Sequence, residues 1–542
     1  MDVLPVKVRY APDAPVEIEV RHLRGPAVLT VWHLGDPVAR RTVDRSGVVD
    51  VGPLREGGYG IDVEAAGDVQ RTALQVTANP RGRLRYGFVA SYAPEREVEG
   101  VSDFVRRLHL DAVQLYDWAY RHANLVGGGE TYQDALGQEV SLATVRRLID
   151  ALHDVGSDAL GYAAVYGVGT DEWPSWQDLA LQRSDGEPYA LGDFLLLVDP
   201  AAPRWQAHLT NDLARSAAAV GFDGFHLDQY GYPRRAVRVD GATVDLARSF
   251  PDLIAAVRSA LPAARLVFNN VNDFPTWATA GADQDAVYIE VWEPHTTLGS
   301  LARLVTRAHA VGGARPVVLA AYQHVYAVAG ARAADLAACL TMATVFSHGA
   351  TQLLAGESGS VLIDPYYVTN HRAEACTLAM LRRWYDFLVE HDELLMEPSA
   401  VDVTGSWVGE VNGALDVRYR VVETTEEPVA GAVWRRVVDV GQHLVVHLVN
   451  LVGQPDTAWD APRTEPGDTG PGRLTLRRVG SHLPRVRVAD PDGSGRLAQV
   501  SVEVEGEHAY AELPPAHVWQ VVVVDLVPRP DQRSGTPVTR SS

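Results

Sequence analysis

Lysine is almost missing from this chain: Lys7 is the only one among 542 residues, in what reads as an early strand. Schiff-base chemistry, a pyridoxal lysine and a phosphate-cradling GK[ST] loop each need a lysine deep in the chain, so all three are excluded. Cysteine is nearly as scarce. Cys339 and Cys376 lie in helical patterns flanked by Ala and Leu, and read as small buried apolar residues rather than a disulfide or metal pair. No apolar run approaches the length of a membrane span, and no membrane partner is expected. Positive charge is also lacking. A formal charge of −21 repels a phosphate backbone, and no basic stripe or run of stacking aromatics offsets it, so nucleic acid is excluded as a partner. The start, MDVLPVKVRYAP, lacks the basic residues and apolar block of a secretory leader, which leads us to expect a cytoplasmic protein, or a secreted one whose leader has been removed.

What is present is a globular composition, 46% hydrophobic and 22% charged, in a chain too long for one core. Short alternating strands such as Val16-Glu17-Ile18-Glu19-Val20, punctuated by Gly, Pro and Asp, predict an immunoglobulin-like β-sandwich over 1–80. From Leu84 the period changes. Apolar strands at Leu84–Ala90, Ala112–Tyr116, Ala159–Val165, Gly224–Asp228, Leu266–Asn270, Val287–Val291, Pro316–Ala321 and Ala350–Leu354 alternate with helical segments. Ser141 caps one helix; Asp199-Pro200 opens another, which Gly221 closes. Eight βα units predict a (β/α)₈ TIM barrel over 81–397, with a doubly wound sheet as the alternative, though no GxGxxG follows the first strand. Alternation returns over 398–528, a predicted C-terminal antiparallel β-sandwich, and 529–542 reads as a disordered tail.

Two predicted strands end in carboxylates: Asp228 after the fourth and Glu290 after the sixth. An acid inside a parallel strand covered on both faces is costly unless it sits at the open carboxyl end. Even-numbered barrel strands send side chains into the same layers, so the pair could face each other across the mouth. Facing acids can divide one proton between them, as glycoside hydrolysis requires. The alternative is that one acid pairs with an arginine or caps a helix.

The second strand ends Tyr116-Asp117-Trp118, followed by Arg121-His122, and aromatic planes beside a carboxylate and an imidazole suit a sugar. A Tyr-Trp pair filling core is the other reading. Tyr162, Tyr166, Asn269-Asn270, Trp292, Tyr322 and Glu357 cluster at predicted strand ends too; of the two asparagines, Asn270 is taken as the contact. His226 shares the inward face of Asp228. No third ligand stands at sensible spacing, so His226 reads as a hydrogen-bonding group in the pocket, with neither metal nor cofactor expected.

The motifs QLYDWAYRH at 114–122, GFDGFHLDQYG at 221–231, FNNVN at 268–272 and AVYIEVW at 286–292 come in this order, and with them the chain resembles glycoside hydrolase family 66, the dextranase family. The resemblance runs from about Tyr86 to about Tyr367. It implies a retaining attack on α-1,6-glucosidic linkages of an α-glucan, with Asp228 as nucleophile and Glu290 as acid/base. Tyr116, Asp117, Trp118 and His122 match residues lining the subsite of the attacked glucose. Two departures stand out: Tyr162 is followed by Ala163 where the family commonly has Asn, and the loop of about 322–330 is too short for the carbohydrate-binding insertion of the cyclising members. The second favours hydrolysis over cyclisation. The rivals are a transglycosylase or a glycosidase of another linkage on the same scaffold, and a catalytically silent carbohydrate-binding protein.

Overall fold

The computed structural model of the chain describes residues 1–409, 412–478 and 483–525. They fall into two compact units, Met1–Pro398 with Thr457–Glu465, and Ser399–Asp456 with the chain from Pro466 onward.

In the first unit the apolar runs from Tyr86 form eight parallel strands: β1 (Tyr86–Val89), β2 (Ala112–Leu115), β3 (Asp158–Ala164), β4 (Gly224–Asp228), β5 (Arg265–Val271), β6 (Ala286–Glu290), β7 (Val317–Ala320) and β8 (Ala350–Gln352). They pair in chain order within one curled sheet of eleven strands. The short strand Ala355–Gly356, continuing from β8, pairs in parallel with β1 through Gly356 and Phe88. Every residue of β1, β2, β6, β7 and β8 is buried, the pattern of parallel strands covered on both faces. Gly224 begins β4 because a Cβ there would lie 1.8 Å from the Arg265 carbonyl oxygen on β5.

Helices intervene between most strands. Leu142–His153 starts at Ser141, whose side chain accepts from the Thr144 N–H. The helix expected to open at Asp199-Pro200 begins instead at Pro203, because the Asp199 carboxylate accepts the Ala201 N–H at 2.9 Å and holds a turn first. Gly221, with φ of 102°, closes that helix in the left-handed region. Between β5 and β6 only a four-residue helix forms, Thr276–Thr279, so one of the eight expected βα units is abbreviated.

The first 80 residues form a three-stranded and a four-stranded sheet around a shared core that includes Val16, Ile18, Leu29, Val31, Ile61 and Val63. They nevertheless belong to the first unit. Asp386 accepts hydrogen bonds from the Ala73 N–H at 3.0 Å and lies 2.8 Å from His109 Nε2, and Arg107 pairs with Asp2 at 2.5 Å. Lys7 stands in an exposed bend rather than a strand. Of the cysteines, Cys339 is buried, but Cys376 is exposed on the first turn of the helix Ala375–Glu390.

The second unit contains a seven-stranded and a four-stranded sheet around Val417, Val437, Val446, Leu474 and Val522. The strap Thr457–Glu465, expected inside this domain, packs in the first unit instead. The Trp459 indole N–H donates to the His295 carbonyl at 2.7 Å, and Asp460 accepts the Val325 N–H at 2.8 Å. The expected tail, 529–542, lies outside the described residues.

Candidate active site

Asp228 closes β4 and Glu290 closes β6, where each strand leaves its packing. Leu227 pairs with Phe268 on β5, and Val271 on β5 pairs with Glu290, so the two acids are offset by about two residues over two strands. A curled parallel sheet with a shear of about one residue per strand brings such positions to one height. Between them stands Asn269. Its amide nitrogen donates to Asp228 Oδ1 at 2.7 Å and to Glu290 Oε2 at 2.9 Å. Those two oxygens are therefore no further apart than the two bonds laid end to end.

Each acid has a second hydroxyl donor, Tyr162 to Asp228 Oδ2 at 2.7 Å and Tyr322 to Glu290 Oε1 at 3.0 Å. Both carboxylates face an open cavity of about 230 Å³. Tyr116 lines it, stacked on Tyr367 with ring centroids 4.3 Å apart. Asp117 and His122 line it as well, Asp117 in a left-handed backbone of φ 46°, a region Asp enters more readily than most side chains. His226 lies on the floor with Nδ1 3.3 Å from the Tyr86 hydroxyl, and Trp292 stands at the mouth, 41% exposed.

Four residues expected at the pocket lie elsewhere. Trp118 is fully buried and donates its indole N–H to the Tyr162 carbonyl, bracing β3 from behind. Tyr166 is fully buried, stacked on Tyr230. Asn270 faces the opposite side of β5 from Asn269 and donates to the Tyr288 carbonyl at 2.9 Å. Strand alternation places only one of two adjacent asparagines in the pocket, and it is Asn269. Glu357 accepts from the Ala90 N–H and pairs with Arg96 at 2.7 Å, so its charge is neutralised away from the cavity. Asn269 and Tyr367 were among the lining residues missed. Counting inward positions back from Val271 by twos finds the first; the second follows β8 in Asp364-Pro365-Tyr366-Tyr367, where only the paired tyrosines give a signal.

Burial raises the Asp228 carboxyl to about 6, against the hydrogen bonds from Asn269 and Tyr162 that favour its anion. Glu290 is pushed up to about 7, by burial first and then by the charge of Asp228. Both carboxyls are thus pushed upward, and the charge of Asp228 opposes ionisation of Glu290. Asp117 rises to about 8 through burial, Asp134 and Asp228. Burial lowers His122 to about 4 and His226 to about 3, so both imidazoles are neutral donors or acceptors at ordinary pH. Among the described residues, no group of three His, Cys, Asp or Glu is placed to hold a metal ion.

The profile of Glycosyl hydrolase family 66 matches residues 29–523. The chain belongs to glycosyl hydrolase family 66. Among curated members, a cycloisomaltooligosaccharide glucanotransferase of Niallia circulans is 29% identical over 345 residues, covering 58% of this chain and 35% of that protein. A dextranase of Streptococcus salivarius is 27% identical over 172 residues, 28% of this chain and 21% of that one. The matched stretches thus span only about a third or less of these relatives' own length. A solved cycloisomaltooligosaccharide glucanotransferase of Paenibacillus sp., complexed with cycloisomaltoheptaose, superposes with a TM-score of 0.86 at 20% identity, covering 96% of this chain and 99% of that one. The fold likeness extends, at a TM-score of 0.52 and 10% identity, to a maltogenic alpha-amylase of Thermotoga neapolitana, with 81% and 98% covered. This family 66 chain therefore shares its architecture with both of these solved structures.

Proposed function

We propose that this family 66 chain is a retaining glycoside hydrolase cleaving α-1,6-glucosidic linkages of isomaltooligosaccharides or dextran, built on a closed (β/α)₈ barrel whose eighth strand continues through Ala355–Gly356 to β1. The observation that carries the reading is the Asn269 amide held between Asp228 and Glu290. It keeps the two acids within the reach of one glycosidic bond, at a spacing compatible with the about 5–5.5 Å of retaining pairs and short of the about 6.5–9.5 Å that leaves room for an inverting water.

Asp228, stabilised as an anion by Tyr162 and Asn269, attacks the anomeric carbon as the bond to the leaving oxygen breaks. Glu290 delivers its proton to that oxygen, and a β-glucosyl ester of Asp228 remains. Glu290, now anionic and hydrogen-bonded by Tyr322, takes a proton from water as the water oxygen attacks the same carbon, which frees Asp228 and restores Glu290. Tyr116, stacked on Tyr367, offers an aromatic wall to the sugar ring, and Asp117 and His122 offer polar groups to its hydroxyls.

A second reading is transfer to a sugar acceptor in place of water, favoured by the names of the curated relatives. The connection from Tyr322 to the helix Ala331–Ser347 is short, which favours hydrolysis. Products from isomaltotriose and dextran, resolved by size, decide between them. Glucose and shorter linear chains support hydrolysis; longer or cyclic products support transfer; no product from either substrate overturns both. Substituting Asp228→Asn abolishes turnover on this reading while leaving the fold intact, and near-normal activity in that variant would remove Asp228 as nucleophile.

A further inference from the structure

The loop after β5 does more than connect strands. Asn272 and Asp273 both adopt left-handed backbones, φ 51° and 66°, a turn conformation that these two residue types enter more readily than other side chains. The contacts here lead to the two catalytic strands. The Asn272 N–H donates to the Glu290 carbonyl at 2.7 Å, and its side chain donates to the Glu293 carbonyl at 2.7 Å. From the other side, the Gln229 side chain, next to Asp228, donates to both the Asn269 and the Phe274 carbonyls, at 3.1 and 2.9 Å. Asp273 is pinned by Arg307 at 2.9 Å.

What this rigid loop presents is Trp277. The indole is 59% exposed, more than any other tryptophan among the exposed large apolar residues, and belongs to the short helix Thr276–Thr279 that follows the end of β5 where Asn269 and Val271 line the pocket. Its edge meets the buried Phe274 ring at 5.7 Å, and the Arg234 guanidinium covers Phe274 at 5.1 Å. An exposed indole on a floppy loop would be an ordinary surface residue. This one packs edge-on against Phe274 in a loop hydrogen-bonded to Gln229 and to the Glu290 carbonyl, and it lies outside the cavity that the two carboxylates line.

We infer that Trp277 is a distal sugar-binding platform, stacking against the C–H face of a pyranose in an extended α-glucan whose cleaved linkage lies in the pocket. The inference rests on the proposed reading of that pocket. A fixed flat ring contributes the same attraction before and during the reaction, so it acts on KM for substrates long enough to reach it and leaves kcat alone.

The test compares Trp277→Ala and Trp277→Phe with the unsubstituted protein on isomaltotriose and on dextran. The expected result is a rise in KM for dextran, relative to isomaltotriose, of roughly fivefold for Ala and less for Phe. Equal changes on the two substrates, or none on either, overturn the platform. Dextran-containing native gels supply a readout without turnover: in an Asp228→Asn background, adding Trp277→Ala should release the protein from retardation. Unaltered retardation also overturns the platform. If the unsubstituted protein cleaves neither substrate, the hydrolytic reading falls, and the gel still reports on Trp277.

Discussion

Asp111, Asp158, Asp223 and Asp285 stand where β2, β3, β4 and β6 begin, and each meets a cation or an imidazole. Arg85 lies 2.7 Å from Asp111, Arg265 2.8 Å from Asp158, His153 2.8 Å from Asp223 and Arg258 2.8 Å from Asp285. At the opposite ends of β2, β4 and β6 stand Asp117, Asp228 and Glu290, which have no ion pair among the described residues and whose carboxyls are all pushed upward. The same functional group has opposite work at the two ends of one sheet. With a basic partner it ties loop to strand; buried without one, beside other carboxyls, it keeps a proton within reach near neutral pH.

Predictions that would break this contrast run from large to small. Glu290→Gln should lower kcat/KM on natural substrates by about 10²- to 10⁴-fold, with much smaller loss in the first step for substrates whose leaving group needs no proton. Equal losses on both kinds of substrate would deny Glu290 its role. At the other end, Arg85→Ala removes the nearer of two arginines from the buried Asp111 carboxylate, leaving Arg9 at 3.7 Å, and should cost about 3–5 kcal/mol in denaturant unfolding, while the folded fraction keeps its kcat. A loss below about 1 kcal/mol would place this pair with ordinary surface ion pairs.

Sharper still is the pH profile. On the proposed mechanism turnover needs one acid of the pair ionised and the other protonated, so kcat/KM should fall as pH drops through about 6 and again as it climbs through about 7, the two limbs belonging to the pair. Tyr322→Phe removes a hydrogen bond that favours the Glu290 anion. Its alkaline limb should move to higher pH by more than its acid limb; movement of the acid limb alone would break the assignment.

Much of this was legible in the sequence, and the misses share a cause. The β4 run Gly224–Asp228 has the expected bounds because glycine and a terminal acid frame an unbroken apolar stretch. The acids at both strand ends were visible too, but which of them has an arginine is not a local property: Arg85 precedes Asp111 by 26 positions and Arg265 follows Asp158 by 107. Asn270 was preferred to Asn269 because the two stand side by side and only the phase of the strand separates them. Glu357 looks like a free strand-end acid until Arg96, 261 positions earlier, closes on it. The abbreviated crossover after β5 left no mark, since a four-residue helix has too few positions to show a period.

The strap Thr457–Glu465 bears on how this protein can be cut. Trp459 and Asp460 hold the segments at His295 and Val325, which follow Trp292 and Tyr322 at the rim of the cavity. A recombinant fragment stopping at Pro398 would keep every residue of the eight strands and still lose the clasp on that rim. Dissecting the protein at its visible boundary would cost the rim the hydrogen bonds that hold His295 and Val325.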